Sequence, residues 1–315
     1  MKAGRAERKP AGNLLEELGR RQLLVVTGKG GVGKSVVAAT LGRLLARDGR
    51  RVLLLEVDPR ESLHQLLGVD PSGGEVVEAG GGLSLQNLPP RHVLDDVVRE
   101  HLRLAPLVRR VLNSPVYHHF VDGAPGLKEL AVLGHVQRLV RGWGGRRRGH
   151  TDLVVLDAPA TGHSVSLLAA PRVTVGVIPH GPFGHMATEL AELVADPVRC
   201  GVVAVTLAEE MPVQETIELL DLLHGRLSRD PQLIVVNGLY PRLSPRRQGA
   251  SRRNGAELAV RRRRVNDAEL ARLRERWRGP LAELPMLPLD RGRPLVSALA
   301  ALLEEALADM VEGRP

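Results

Sequence analysis

The chain has 315 residues, of which 43% are hydrophobic and 25% charged, so it can bury a full core and is neither a disordered tail nor a small disulfide-stapled scaffold. Its single cysteine, Cys200, excludes an internal disulfide and a cysteine-based metal cluster within one chain, which is typical of the reducing cytoplasm. Lysine and arginine outnumber aspartate and glutamate by 44 to 36, and the formal charge of +8 makes nucleic acid or an anionic membrane a candidate partner.

Apolar runs of strand length alternate with segments of helical period along the chain, which is typical of βαβ units in a parallel sheet. The predicted strands are residues 23–27, 52–57, 83–88, 153–156, 173–178, 202–207, 233–236 and 284–287. Helices are predicted at residues 34–47, 213–227 and 295–311. This order predicts an α/β fold with a mostly parallel, doubly wound sheet flanked by helices.

The pattern divides the chain into an N-terminal tail, residues 1–20, and one domain, residues 21–315, with two unusual segments. Residues 91–142 have a helical period interrupted by prolines, and we interpret them as a helical insertion. Residues 241–280 are arginine-rich and weakly patterned. No apolar run approaches the roughly 18 residues of a membrane span, and none follows the basic first residues, so we expect a soluble protein without a signal peptide.

A glycine-rich loop stands between the first predicted strand and the first predicted helix. Its residues are Gly28, Lys29, Gly30, Gly31, Val32, Gly33, Lys34 and Ser35, with Val36 next in the helix. This is the G-x-x-x-x-G-K-[ST] pattern in its strand, loop and helix setting, which disfavours a chance glycine turn. In such a loop backbone N–H groups surround phosphate oxygens, Lys34 meets the β- and γ-phosphates, and Ser35 offers a hydroxyl to Mg²⁺. The sequence therefore predicts binding of ATP with Mg²⁺.

A second lysine distinguishes this loop. The chain has only five lysines, and two of them, Lys29 and Lys34, lie here, where a compact ammonium fits between phosphates better than a guanidinium. With Lys29 the loop resembles those of the deviant Walker A ATPases. Later segments narrow the resemblance to the ArsA-type ATPases, which comprise the arsenite-pump ATPases and the targeting ATPases of tail-anchored membrane proteins. The resemblance implies a P-loop NTPase fold and a nucleotide-sandwich homodimer in which Lys29 reaches the partner's nucleotide; an ordinary exposed loop lysine is the alternative.

Acidic residues follow two of the predicted strands. Asp58 comes directly after the second strand, where a carboxylate faces the ligand crevice of an open α/β sheet and can orient an attacking water. Asp58-Pro59 resembles the start of the family's first switch, Asp-Pro-Ala-His-Ser, although Arg60-Glu61 replaces Ala-His. An Asp-Pro turn that ends a strand is the alternative interpretation.

Residues 157–163 resemble the family's second switch, Asp-x-Ala-Pro-Thr-Gly-His, with a slightly shifted middle. Asp157 is a Walker-B-like acid that could hold Mg²⁺ directly or through water. His163 is a candidate for transmitting the nucleotide state, and a helix-start histidine without a ligand role is the alternative. This motif favours the ArsA type over the partition and division-site relatives.

A polar residue also follows the strand predicted at residues 233–236. Asn237 resembles the family's adenine-reading asparagine, whose amide can donate to and accept from the base edge. An Asn-Gly turn is the alternative. The predicted catalytic residues are thus Asp58, Lys29 and Lys34, the predicted Mg²⁺ ligands are Ser35 and Asp157, and Asn237 completes the nucleotide site.

Two functions follow from these motifs. The first is Mg²⁺-dependent ATP hydrolysis in a homodimer coupled to an unidentified protein client, such as a membrane protein or its hydrophobic segment. The second is a nucleotide-switched dimer of the division-site or partition type, acting on a membrane or DNA surface. One cysteine cannot supply the several thiolates of an arsenite site, so direct arsenite binding is not expected.

The basicity belongs to one part of the chain. Residues 241–280 hold 13 arginines and 4 acidic residues, a net charge of +9, which leaves the remainder nearly neutral. A solvated helix is the default interpretation, and a mobile lid or a patch for an anionic partner are the alternatives. Nucleic acid is therefore a possible partner that the motifs do not favour. The Val/Leu-rich helical insertion could form a client groove, although core packing accounts for the same pattern.

Overall fold

The computed structural model describes residues 14–47, 49–57, 61–101, 104–123, 126–141, 151–159, 161–243 and 253–312. Its sheet consists of β1 (Leu23–Gly28), β2 (Val52–Glu56), β3 (Val77–Gly80), β4 (Leu83–Asn87), β5 (Leu153–Asp157), β6 (Cys200–Leu207), β7 (Leu233–Leu239) and β8 (Leu281–Pro285). The spatial order is β3-β4-β2-β5-β1-β6-β7-β8. Neighbouring strands are parallel except for the antiparallel pair β3 and β4.

Helices cover both faces of this sheet. They are α1 (Leu14–Gly19), α2 (Lys34–Leu45), α3 (Leu63–Leu67), α4 (Pro90–His101), α5 (Ala105–Leu112), α6 (Pro115–Gly123), α7 (Leu127–Arg141), α8 (Thr161–Val177), α9 (Gly181–Ala195), α10 (Glu210–Leu227), α11 (Arg253–Arg276) and α12 (Arg293–Glu312). Successive strand residues alternate between two cores, because side chains of a strand point to opposite faces. One core packs against α1, α2, α3 and α12, and the other against α4 and α6 to α11. The predicted α/β fold with a mostly parallel sheet is confirmed.

The strand predicted at residues 173–178 is wrong. Residues up to Val177 lie in α8, which begins at Thr161 and continues through Pro171. A short apolar run fits a buried strand and a helix segment equally well, and here no strand pairs with it. Val173 and Val177 are 58% and 75% exposed, whereas Val175 packs, partly buried, against the core, so the run is not buried throughout as a central strand would be.

Other elements also differ from the sequence expectations. The last strand, Leu281–Pro285, begins three residues before the predicted one. The weakly patterned arginine-rich segment contains the 24-residue helix α11. Within the predicted tail, α1 places Leu18 in the core with none of its surface exposed. The short edge strand β3 has no counterpart among the predicted strands, since its half-buried residues give a weak apolar signal.

The helical insertion predicted at residues 91–142 corresponds to α4 through α7. Helix α7 is well buried, whereas α5 has no buried residue. In the ranges that the structure describes, no helix is both long and apolar enough to cross a lipid bilayer.

Candidate nucleotide-binding site

The glycine-rich loop joins the carboxyl end of β1 to the start of α2. Gly33 is the N-cap residue of α2, with φ of 91° and ψ of 28°, a left-handed conformation that glycine adopts without steric cost. As a glycine, this N-cap residue supplies no side-chain cap. The N-terminus of α2 is directed at the loop, and the helix dipole favours negative charge there.

Two of the four loop glycines pack against protein, and the other two border open space. A Cβ at Gly33 would lie 2.3 Å from Asn237 Nδ2, and one at Gly28 would lie 2.1 Å from the Val205 carbonyl oxygen. At Gly30 and Gly31 a Cβ would meet no atom within 4 Å. The outer loop thus borders open space that a phosphate chain could fill, while its two ends are fixed against β6 and β7.

The two lysines of the loop have different partners. Lys34 Nζ donates a hydrogen bond of 3.0 Å to the carbonyl oxygen of Lys29, so its ammonium lies over the loop. Lys29 Nζ lies 2.8 Å from Glu215 Oε1 on α10, and both side chains are about 30% exposed. Lys29 is therefore in an ion pair within its own chain. Ser35 and Val36, both partly buried, form the first turn of α2.

Asp157 ends β5 and is 7% exposed. The sheet register places it opposite Val26 of β1 on one side and Glu56 of β2 on the other, beside the start of the glycine-rich loop. Thr27 Oγ1 donates to Ser164 Oγ at 2.5 Å and so joins the end of β1 to α8. The predicted second switch therefore begins next to the phosphate loop.

The chemistry of the donor set suits Mg²⁺ held with phosphate. In the described ranges no group of three or more His, Cys, Asp or Glu side chains gathers around one point. Mg²⁺ in phosphate sites uses one or two protein oxygens, together with substrate phosphates and water. Ser35 and Asp157 are the residues that would supply those oxygens. The side chain of His163, the proposed transmitter, lies outside the described part of the structure.

Asp58, with Pro59 and Arg60, also lies outside the described residues. The residues on either side are held firmly. Glu56, 1% exposed at the end of β2, accepts hydrogen bonds from the Ser62 N–H at 2.9 and 3.0 Å and from the Ser62 hydroxyl at 2.6 Å. Glu61 accepts from the backbone N–H of Ser72 at 2.8 Å. The predicted first switch is thus anchored at both ends by carboxylates.

The role of Glu56 was not predicted from the sequence. A carboxylate inside the apolar run of residues 52–57 is the signal that could have found it, because a buried charge needs several hydrogen-bond donors. Glu61 stands where the resembled motif has histidine. Its carboxylate accepts hydrogen bonds from the backbone N–H groups of Ser72 and Gly73.

Asn237 connects the other side of the site to the phosphate loop. It lies within β7, opposite Leu207 of β6, and is half-buried. Its Nδ2 donates a 3.0 Å hydrogen bond to the carbonyl oxygen of Val32. An Asn-Gly turn alone would not require this contact across 205 residues of sequence. The structure therefore gathers Asn237, Lys29, Lys34, Ser35 and Asp157 at the carboxyl edge of one sheet.

Known proteins match this chain along most of its length. The model of a family described as anion-transporting ATPase matches residues 21–179. ATPase BagA of Mycobacterium tuberculosis is 30% identical over 225 residues, which are 70% of this chain and 66% of BagA. An arsenical pump-driving ATPase of Escherichia coli is 27% identical over 311 residues, 90% of this chain and 49% of that protein. ATPase ASNA1 homolog 2 of Paramecium tetraurelia is 24% identical over 51% of this chain and 47% of its own length. The chain thus covers less than two thirds of each of these relatives.

Proposed function

The chain belongs to the anion-transporting ATPase family, and on that basis we propose that it binds ATP with Mg²⁺ at its phosphate loop and hydrolyses it. The observation that carries the proposal is the loop between β1 and α2. A Cβ at Gly30 or Gly31 would meet no atom within 4 Å, the loop leads directly into the N-terminus of α2, and the Lys34 ammonium lies over the loop. This arrangement is suited to a chain of phosphates.

Hydrolysis at this site would be an in-line attack of water on the γ-phosphorus, with cleavage of its bond to the oxygen that bridges to the β-phosphate. The backbone N–H groups and Lys34 would stabilise the charge that develops on the phosphate oxygens. Ser35 and Asp157 would hold Mg²⁺, which would neutralise further charge on those oxygens. Asp58 is proposed to orient the attacking water because Asp58-Pro59 resembles the start of the family's first switch.

A homodimer with nucleotide between its subunits is the finer part of the proposal. Lys29 would reach the partner's phosphates, and to do so it must leave Glu215, its ion-pair partner in the same chain. Exposed pairs of this kind are worth about 0–1 kcal/mol. Phosphates carrying several negative charges can therefore displace Glu215 at little cost. The contact is consistent with a resting position of Lys29 before the dimer closes.

The client is proposed to be a protein that contacts the helical insertion in the cytoplasm. Three apolar residues around α5 are strongly exposed: Leu104 at 68%, Leu107 at 44% and Val116 at 76%. Such exposed apolar side chains suit contact with another apolar segment. A direct arsenite site is not proposed. Cys200 is the single cysteine, it is fully buried, and burial raises the pKa of its thiol, which disfavours the thiolate that arsenic would need.

The arginines of α11 that the structure describes do not favour the alternative of a DNA- or membrane-surface module. Most arginines of α11 that the structure describes have acidic partners on neighbouring turns or elements, which reduces the charge they offer to an outside partner. These pairs are Arg261 with Glu257, Arg262 with Glu209, Arg263 with Asp267, Arg272 with Glu269, Arg274 with Glu283 and Arg276 with Asp221.

The dimer proposal is tested by light scattering with ATP and Mg²⁺ on Asp58→Asn, which should bind ATP but hydrolyse it slowly. We expect its mass to move toward twice the chain mass of 34.1 kDa when ATP is added. Adding Lys29→Ala to this variant should prevent the shift. A monomer that binds ATP fully, in both the single and the double variant, would contradict the nucleotide sandwich and leave ATP binding intact.

A further inference from the structure

Side chains of helix α11 form hydrogen bonds to the backbone just after the end of β7. Both backbone polar groups of Tyr240, the residue after β7, are bound by α11 side chains. The Tyr240 N–H donates to Asn266 Oδ1 at 2.9 Å, and Arg263 Nη1 donates to the Tyr240 carbonyl oxygen at 3.0 Å. The ladder between β7 and β8 is irregular between Val236 and Leu239, so side chains of α11 fix the backbone just beyond this irregularity.

Asn266 also holds the neighbouring strand end. Its Nδ2 donates a 2.8 Å hydrogen bond to the carbonyl oxygen of Ala208, the residue after β6. The side chain is 4% exposed, so both of its hydrogen bonds are shielded from water. Arg263 is 12% exposed and is itself fixed by Asp267, whose Oδ1 lies 2.8 Å from its Nη2. One turn of α11 therefore connects the carboxyl ends of β6 and β7.

Asn237 lies three residues before Tyr240, and its amide has a defined orientation. Because Nδ2 donates to the Val32 carbonyl oxygen, Oδ1 is the amide atom that points away from this contact. An amide oxygen only accepts hydrogen bonds. It complements the 6-amino group of adenine and repels the 6-oxo group of guanine or hypoxanthine.

We propose that Asn266 and Arg263 are positioning residues for recognition of the nucleotide base. They fix the ends of β6 and β7, and thereby keep the Asn237 amide against Val32 with its acceptor toward a 6-amino purine. This inference rests on the proposed binding of ATP at the phosphate loop. It gives α11 a role beyond that of a solvated basic helix, because the helix acts through hydrogen bonds to backbone rather than through its net charge.

The test compares ATP with inosine triphosphate, which differs from ATP by an oxo group in place of the 6-amino group. The variants are Asn266→Ala and Arg263→Ala. Arg261→Ala is the matched control: it removes an ion pair between residues four apart in α11, as Arg263→Ala does, but Arg261 makes no contact with Tyr240. KM and kcat for both nucleotides are measured, together with the thermal unfolding temperature.

We expect Asn266→Ala to raise KM for ATP about tenfold, because it removes two buried hydrogen bonds. Arg263→Ala should raise KM about threefold, because it removes one hydrogen bond to Tyr240. The preference for ATP over inosine triphosphate should fall by similar factors, with kcat for ATP within about twofold of the wild type, since the phosphate contacts remain. Arg261→Ala should match the wild type. If Asn266→Ala does not fold, the proposal is decided by comparing the preference for ATP of Arg263→Ala with that of Arg261→Ala.

Two results would overturn the proposal and can be told apart. Variants that unfold at lower temperature but keep the full preference for ATP would show that Asn266 and Arg263 are only structural. In that case ATP hydrolysis by the wild type still stands. A wild-type chain that neither binds nor hydrolyses ATP would instead contradict the proposed function, and the base-recognition role with it.

Discussion

Substituting the loop glycines one at a time with alanine should separate backbone strain from ligand contact. Gly33→Ala puts a Cβ 2.3 Å from Asn237 Nδ2 and forces alanine to a φ of 91°. Gly31→Ala imposes a φ of 87° but meets no atom within 4 Å. Gly30→Ala meets no atom within 4 Å and requires no positive φ. Alanine is therefore both strained and in steric conflict at Gly33, strained only at Gly31, and neither at Gly30.

The expected costs follow from these geometries. A positive φ costs a non-glycine residue about 1–2 kcal/mol, and displacing the Asn237 amide from Val32 costs about 1 kcal/mol more. Alanine restores about 0.5 kcal/mol by restricting the unfolded chain. Gly33→Ala should therefore lower the free energy of unfolding by about 2 kcal/mol and Gly31→Ala by about 1 kcal/mol. Gly30→Ala should leave it unchanged or slightly higher.

Thermal unfolding without nucleotide, at one fixed scan rate, measures these differences. For a chain of 315 residues, about 2 kcal/mol corresponds to a fall of roughly 3 °C in Tm. ATP affinity should decrease in all three variants, because each adds a methyl group beside the phosphate cradle. If Gly30→Ala lowered Tm as much as Gly33→Ala, the assignment of strain and contact to Gly33 would be refuted.

Three further results are expected. Cys200 should resist a thiol reagent at pH 8 in the native protein and react fully in denaturant, because burial raises the pKa of its thiol; rapid native labelling would contradict its burial. Glu215→Gln should tighten ATP-dependent dimerisation about two- to fivefold by releasing Lys29, and weaker dimerisation in sedimentation experiments would argue against the resting role of this pair. Asp157→Asn should raise the Mg²⁺ concentration for half-maximal hydrolysis at least tenfold, which an unchanged Mg²⁺ titration would exclude.

The phosphate loop could be predicted from sequence because its requirements are local. The cradle is defined by glycines, a lysine and a serine at fixed spacing, which lie between an apolar run and a segment of helical period. No contact with a distant segment is needed to recognise it. The position of Asp157 at a strand end is equally local, because it directly follows an apolar run, and the sheet register puts it beside β1. Strand existence was also accessible, since buried parallel strands give continuous apolar runs.

The rest depends on contacts between distant segments. The hydrogen bond from Asn237 to Val32 and the contacts of Asn266 with Ala208 and Tyr240 join residues far apart in sequence, so no local pattern announces them. The strand predicted at residues 173–178 was wrong because β-branched residues at a helix end mimic a strand, and only the missing sheet neighbour decides between them. Glu56 gave a signal, a charge in an apolar run, whose meaning required its partner Ser62.

ATP hydrolysis by the purified chain, measured as phosphate release in the presence of Mg²⁺, tests the central claim most directly. Lys34→Ala should lower turnover at least a hundredfold, because it removes the ammonium over the loop that would stabilise the negative charge developing on the phosphate oxygens. Lys128→Ala, which removes a lysine of α7 outside the proposed site, serves as the control and should retain wild-type turnover. Full turnover by a folded Lys34→Ala protein would contradict the account.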